Sequence, residues 1–174
     1  MNGGISFRKP TGEDHKLVQG IWEDPDTMAA IGGVQPCSAA EYARWFESVL
    51  VKHAGANCYF LAFSGNDCVG EVSFHRFDRE TGTAELNVKT KAAWRGRGIG
   101  HRALRFILAV FFNDWGGREM RDTVRETNDL GRKTLLNFGF SEIGRRPRPN
   151  GDYLLSLGRD DFNKNEEASI RPHG

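Results

Sequence analysis

Trp94-Arg95-Gly96-Arg97-Gly98-Ile99-Gly100-His101 is the stretch whose reading decides the fold. Gly96, Gly98 and Gly100 crowd three glycines into five positions. Glycine loses more backbone freedom on folding than any other residue, so such density implies a sharp bend or a close approach. The period then changes. Ile99, Ala103, Phe106, Ile107, Val110 and Phe111 recur at the spacing of one helical face. Leu104, Leu108, Phe112 and Trp115 widen that face, which predicts a helix packed on two sides. Gly116-Gly117 predicts its end. A bend that opens a helix offers free N–H groups and the positive end of the helix dipole to an anion. Arg95 and Arg97 add charge. The same residues also suit a tight strand-to-helix turn with no ligand.

Two other phosphate motifs compete for this bend. The dinucleotide fingerprint G-x-G-x-x-G has Gly96 and Gly98, but His101 stands at the third glycine. Glu119 lies near the expected acidic position, which weakens that reading without removing it. A phosphate-binding P-loop needs Gly-Lys-Ser/Thr, which does not follow Gly100.

Outward from the bend, the chain alternates strands and helices. Upstream, Ile5–Arg8 reads as a short strand. Thr11 is a candidate N-cap, with Asp14 three residues on, for a helix through Leu17, Val18, Ile21 and Trp22. Ser38 predicts the start of a second helix through Tyr42, Trp45, Phe46 and Val49. Cys58–Phe63 and Cys68–Phe77 flank the turn Ser64-Gly65-Asn66-Asp67 as a hairpin, and Thr83–Val88 follows as a third strand. Downstream, Glu119–Val124 reads as a strand, and Thr127 or Asn128 caps a short helix through Leu130, Leu135 and Leu136. Gly139 suits its left-handed C-terminal cap. Strands near Ser141–Arg146 and Asp152–Leu157 complete a mixed α/β (α+β) sheet rather than a doubly wound one.

Composition bounds the function. The 174 residues favour a single domain, read here as 1–162, with 163–174 as a polar, flexible tail. Lys plus Arg (24) against Asp plus Glu (23) leaves a formal charge of +1, without the basic excess of a dedicated nucleic-acid binder. No run approaches the ~20 apolar residues of a membrane span, and Met1-Asn2-Gly3-Gly4 does not resemble a secretory leader. Three scattered cysteines, Cys37, Cys58 and Cys68, predict neither a disulfide framework nor a metal site, and point to a reducing, cytoplasmic setting.

The segment Arg95-Gly96-Arg97-Gly98-Ile99-Gly100 matches R/Q-x-x-G-x-G/A, the signature of the GNAT superfamily of acyl-CoA-dependent N-acetyltransferases. The preceding strand Ala84-Glu85-Leu86-Asn87-Val88 and the downstream run from Asn128 through Lys133 to Phe138-Gly139-Phe140 resemble the same family in order and spacing. Ile21–Met28 followed by Ser38–Trp45 is similar to the subgroup that includes ribosomal-protein N-terminal acetyltransferases. The resemblance, over about Ile5 to Leu157, implies a central, mostly antiparallel sheet splayed in the middle, with helices on both faces. It implies acetyl-CoA as cosubstrate, an amine acceptor, no membrane partner, and leaves a homodimer open.

The same resemblance assigns roles. Arg95, Gly96, Arg97, Gly98, Ile99, Gly100 and His101 would form the cofactor-binding loop, with the backbone N–H groups from Arg97 to His101 on the pyrophosphate, and Leu86, Asn87 and Val88 would pair with the pantetheine arm. The Val88 N–H would stabilise the developing oxyanion, a contribution of ~3–4 kcal/mol at comparable acyl-transfer sites. Asn128 would hold the pantetheine arm or nearby backbone, and Lys133 would reach a phosphate of CoA. Glu85 is the candidate general base, since an attacking ammonium with a pKa of ~10.4 must lose protons. A salt-bridged Glu85 is the structural alternative. The family's general acid, a Tyr four residues before Gly139, is Leu135 here; solvent, Tyr153 or Ser156 would have to substitute.

Other polar residues carry structural alternatives. His75 would face the acceptor or the surface, and the three cysteines would act as nucleophiles or pack as small apolar groups. Glu23, Asp24 and Asp26 would attract a cation or form a solvated turn. Arg145-Arg146-Pro147-Arg148 would meet an acidic partner or water. Two rival functions remain: an acyl-CoA-binding sensor without catalysis, motivated by Leu135, and a nicotinamide-dependent oxidoreductase, motivated by Gly96, Gly98 and Glu119.

Overall fold

The computed structural model describes residues 4–147 and 151–170. The chain runs β1 (Ile5–Arg8), α1 (His15–Trp22), α2 (Pro25–Met28) and α3 (Ala39–Trp45), then β2 (Cys58–Ser64), β3 (Asp67–Asp78) and β4 (Thr83–Thr90). After the glycine bend come α4 (Ile99–Ala109), β5 (Glu119–Val124), α5 (Asp129–Phe138), β6 (Ser141–Arg145), β7 (Tyr153–Gly158) and α6 (Arg159–Ile170). The strands form one sheet in the order β1-β2-β3-β4-β5-β7-β6.

Every neighbouring pair is antiparallel except β4–β5, whose parallel pairing needs the crossover that α4 supplies. That pair is short. Thr83, Ala84 and Glu85 face Glu119, Met120 and Arg121, and there the pairing stops. β4 continues to Thr90 on β3, and β5 continues to Val124 on β7. The sheet is therefore open between the second half of β4 and the end of β5.

Strand alternation sorts the side chains onto two faces. Phe74, Ala84, Leu86 and Met120 pack with Leu104, Ile107, Leu108 and Phe111 of α4 and its continuation. Tyr59 and Leu61 point to the other face, against Val18 and Ile21 of α1 and Tyr42 of α3. Helices thus cover both faces, as the resemblance implies.

Beyond shifts of a residue at strand ends, the structure differs from the sequence reading in several places. Asp14, not Thr11, precedes the first helical turn; its carboxylate accepts from Thr11 N–H, Thr11 Oγ1 and Arg8, so its polar groups face β1. Ser38 does start α3 with a reciprocal capping box to Glu41, but the helix widens into π-type turns from Phe46 to Lys52. β4 reaches Thr90 rather than Val88. Residues 163–170, read as part of a flexible tail, lie in α6. Phe162 anchors it on Phe112, with an Arg105–Glu166 ion pair of 2.9 Å and an Asn165 hydrogen bond to Phe138 O at 3.0 Å. So polar a segment leaves no helical period to read.

Candidate functional site

The opening of the sheet exposes one backbone edge. Lys91 N–H donates to Val69 O at 2.9 Å, which fixes the parity of the β3–β4 ladder. Antiparallel partners alternate between hydrogen-bonded and non-hydrogen-bonded pairs. Leu86, Val88 and Thr90 therefore turn their N–H and C=O groups away from β3, into the gap that β5 has left. Asn87 alternates the other way; its side chain donates to Glu71 and Ser73.

The glycine bend closes one end of this gap. Gly98 is the residue before α4, with φ +72°, in the left-handed region where a side chain is strained. Gly96 has φ +75°. Gly98 and Gly100 line the cleft beside His101, at the free N–H groups of the first turn of α4. The arginines are committed elsewhere. Arg95 donates to the carbonyls of Thr27 (2.9 Å) and Asp26 (3.2 Å), tying the bend to α2. Arg97 is exposed, with its guanidinium 4.6 Å from the Trp94 ring centroid. Ile99 is buried with Ala62 and Val69, and the His101 ring lies 5.0 Å from Phe138.

The cleft has a volume of about 890 Å³ and runs from Thr27 and Trp94 past β4 to Asn128 and Arg146. Asn128 caps α5: its Oδ1 accepts from Gly131 N–H at 2.9 Å. A Cβ on Gly131 would come within 2.5 Å of Asn128 Nδ2, so the cap requires glycine there. Lys133 is exposed on α5 and stands outside the cleft wall. Leu135 is buried and lines the cleft at the position where the resemblance would place a Tyr. Tyr153 is held between the guanidiniums of Arg132 and Arg145, at 4.2 and 4.0 Å, and neither it nor Ser156 lines the cleft.

Two carboxyl groups stand at the point where β4 and β5 part. Glu85 is half-exposed and pairs with Arg76 Nη1 (3.0 Å) and His75 Nε2 (3.2 Å). Its salt-bridged form is therefore the one present. A bulge in β3 makes this possible, since Arg76 and Phe77 stand opposite the single residue Ala84. Burial pushes the His75 imidazole below its usual value, against the opposing pull of Glu85. The second carboxyl, Asp122 of β5, was not singled out from the sequence: Glu119–Val124 is a weak strand signal and nothing in it marks position 122. Burial pushes Asp122 up to about 7, opposed by the Thr123 N–H and reinforced by the charge of Glu85.

A smaller cavity of about 480 Å³ lies on the α1/α3 face, lined by Trp22, Trp45, Tyr59, Glu71, Asn87 and Lys89. Glu71 is buried and fully partnered, by Lys89, by Tyr59 Oη and by Trp22 Nε1 at 2.9 Å. His75, Asn87 and Lys89 line both cavities, so the two meet along β4.

The remaining candidates are structural or lie elsewhere. Glu23 accepts from Cys37 N–H, and Asp24 caps α2 through Thr27. Arg146 lines the cleft, as does Arg125, which the sequence reading passed over; Arg148 lies outside the described residues. Among the described residues no three His, Cys, Asp or Glu side chains cluster to hold a metal, and no helix is long and apolar enough to cross a membrane.

Residues 5–141 match a family model described as the acetyltransferase (GNAT) domain. A search of curated protein sequences finds no match. Among solved structures, the spermidine N-acetyltransferase from Vibrio cholerae, in complex with CoA and spermine, superposes with a TM-score of 0.82 at 14% identity, over 91% of this chain and 98% of that one. The ribosomal-protein-S5-alanine acetyltransferase from Vibrio fischeri gives 0.80 at 16%, over 91% and 94%. An aminoglycoside acetyltransferase in complex with coenzyme A gives 0.78 at 16%, over 94% and 99%. At these identities the likeness is one of fold.

Proposed function

The chain belongs to the GNAT acetyltransferase family, and on that premise we propose that it moves the acetyl group of acetyl-CoA to a primary amine by direct attack, with both substrates bound together. The amine belongs to a small molecule or to a protein N-terminus. The observation that carries this reading is the meeting, in one cleft, of the glycine bend, the start of α4 and the unpaired edge of β4. These features fit a CoA thioester. A bend free of side chains at Gly96 and Gly98 leaves N–H groups open to phosphate, and an unpaired strand edge accepts an extended amide-bearing arm.

Acetyl-CoA supplies the acetyl thioester. The N–H groups of Gly96 to His101 hold its pyrophosphate, and Leu86 and Val88 present backbone groups to its arm. The Val88 N–H is aimed at the position where negative charge develops. Glu85, fixed by His75 and Arg76, takes protons from the incoming amine, directly or through water. Asn128 acts by fixing the start of α5 at the cleft wall. Arg125 and Arg146 are better placed than Lys133 to meet phosphate, because they line the cleft. Direct attack is favoured over an acetyl-cysteine route. Cys37, Cys58 and Cys68 are buried free thiols, and burial pushes each upward, Cys37 and Cys58 to about 11. Reduced thiols also suit a cytoplasmic setting.

Calorimetric titration with acetyl-CoA, with NADH alongside, tests the cosubstrate. Saturable binding of acetyl-CoA alone is expected, and binding of NADH alone would favour the oxidoreductase. CoA release is then measured with spermidine, an aminoglycoside and a peptide with an N-terminal alanine, the acceptor classes named for the structural relatives. Binding with no release for any amine would favour the sensor reading, which Leu135 motivates.

A further inference from the structure

We propose that Asp122 is the general acid of the transfer: its carboxyl group gives a proton to the sulfur that leaves with CoA. The proposal rests on the acetyltransferase reading above and supplies the group that Leu135 cannot.

The argument begins with the register. Glu85 pairs with Arg121, and Ala84 with Met120. Partners share a face, so Glu85 and Arg121 point to the α1/α3 side while Ala84, Leu86, Met120 and Asp122 point to the α4 side. Asp122 is the first β5 residue past the last β4–β5 pair. The two carboxyl groups therefore flank the opening of the sheet from opposite faces. Glu85 lines the same cleft as Asp122, and its face also meets the smaller cavity through His75, Asn87 and Lys89, which line both. The Asp122 face belongs to the cleft that holds the glycine bend. An amine that enters on one face loses its protons there, and a thioester that lies on the other regains one at sulfur.

The surroundings suit a proton donor. β7 sets the buried Leu155 opposite Asp122, and Leu104 of α4 and Leu135 of α5 share its cleft. Its donor is the Thr123 N–H, and the charge acting on it is that of Glu85 from β4. His101 of α4, Lys89 of β4, Arg125 and Asp129 line the cleft as well. Leucine walls and a neighbouring carboxylate both favour the neutral acid. The displacement to about 7 puts the group near the operating pH, where a general acid works best.

The proton count closes. The ammonium loses two protons through Glu85 and water as nitrogen bonds to the acetyl carbon. The carbon–sulfur bond breaks, its electron pair stays on sulfur, and sulfur takes the Asp122 proton. Solvent restores that proton, so each turnover releases one.

The test has two arms. In the free protein, the Asp122 carboxyl carbon is titrated by NMR, with Asp122→Asn identifying its signal. A midpoint near 7 is expected, and a midpoint below about 5 overturns the proposal. In the second arm, kcat is followed against pH with acetyl-CoA and spermidine, or the panel amine that supports turnover. Wild-type kcat falls as pH rises past about 7. Asp122→Asn lowers kcat about 10²-fold at pH 6, removes that falling limb, and leaves acetyl-CoA binding near normal. An unaltered kcat and pH profile in the folded variant overturns the proposal. Absence of turnover in the wild type overturns the acetyltransferase reading instead, and the NMR midpoint still decides how Asp122 ionises.

Discussion

Arg76 holds Glu85 from a left-handed backbone. Its φ is +55°, and its Nη1 lies 3.0 Å from each carboxylate oxygen. A non-glycine residue in this region costs on the order of 1–3 kcal/mol and persists where its surroundings over-determine it. The β3 bulge sets that backbone, and the side chain it redirects fixes Glu85 at the last pair before the sheet opens.

Glu85→Gln should therefore lower kcat by about 10²-fold while acetyl-CoA affinity, measured by calorimetry, stays near normal. A variant with wild-type kcat and an unchanged pH–rate profile would remove Glu85 from the mechanism. Arg76→Ala should give a smaller loss, because it frees the carboxylate without deleting it.

Gly98→Glu should abolish measurable acetyl-CoA binding without unfolding the protein. The position has open space, yet its φ of +72° disfavours a side chain, and the added carboxylate repels phosphate. Arg97→Ala should weaken binding far less, since Arg97 lies on Trp94 outside the cleft. Equal losses from the two would contradict a backbone-borne phosphate site.

Asn128→Ala removes the N-cap of α5 and should cost about 1 kcal/mol in urea denaturation. Gly131→Ala should cost a similar amount, because a Cβ there displaces the capping side chain. The double variant should cost clearly less than the sum of the two, since both lose one interaction. Strict additivity would mean that the cap is not shared.

Asp14 is buried against Arg8, and the Arg8 hydrogen bonds lead the effects that hold its carboxyl down at about 2. A depressed native value means the folded state favours the anion, so its stabilisation is present above about pH 4. It is lost as pH falls toward 2. Asp14→Asn should destabilise the protein by about 2 kcal/mol at pH 7, and the gap should narrow in melts between pH 4 and 3. A gap that does not vary with pH would refute the ionic origin.

The local elements were largely legible in the sequence, because each writes its own period. The glycine bend announced α4, the Ser64–Asp67 turn announced the β2–β3 hairpin, and Gly139 with φ +116° ends α5 as its position implied. Ser38 marked the start of α3, and the structure adds its capping box with Glu41. The π-type turns after Trp45 and the α6 helix were not readable, since neither changes the apolar spacing enough to leave a mark.

The candidate site divides along the same line. The sequence by itself determined the bend, the strand and the helix start, because these are set by neighbours in the chain; through the resemblance that their spacing carries it pointed to Leu86–Val88 and Gly96–His101, of which all but Arg97 line the cleft. What the charged side chains do was decided by tertiary structure alone. Arg95 ties to Thr27, Arg97 to Trp94, and Glu85 to Arg76, while Asp122 and Arg146, distant in sequence, come to line one cleft. The physical reason is range. Backbone conformation follows from torsions and hydrogen bonds a few residues apart, whereas the state of an ionisable group depends on burial and on charges that only the folded sheet brings near.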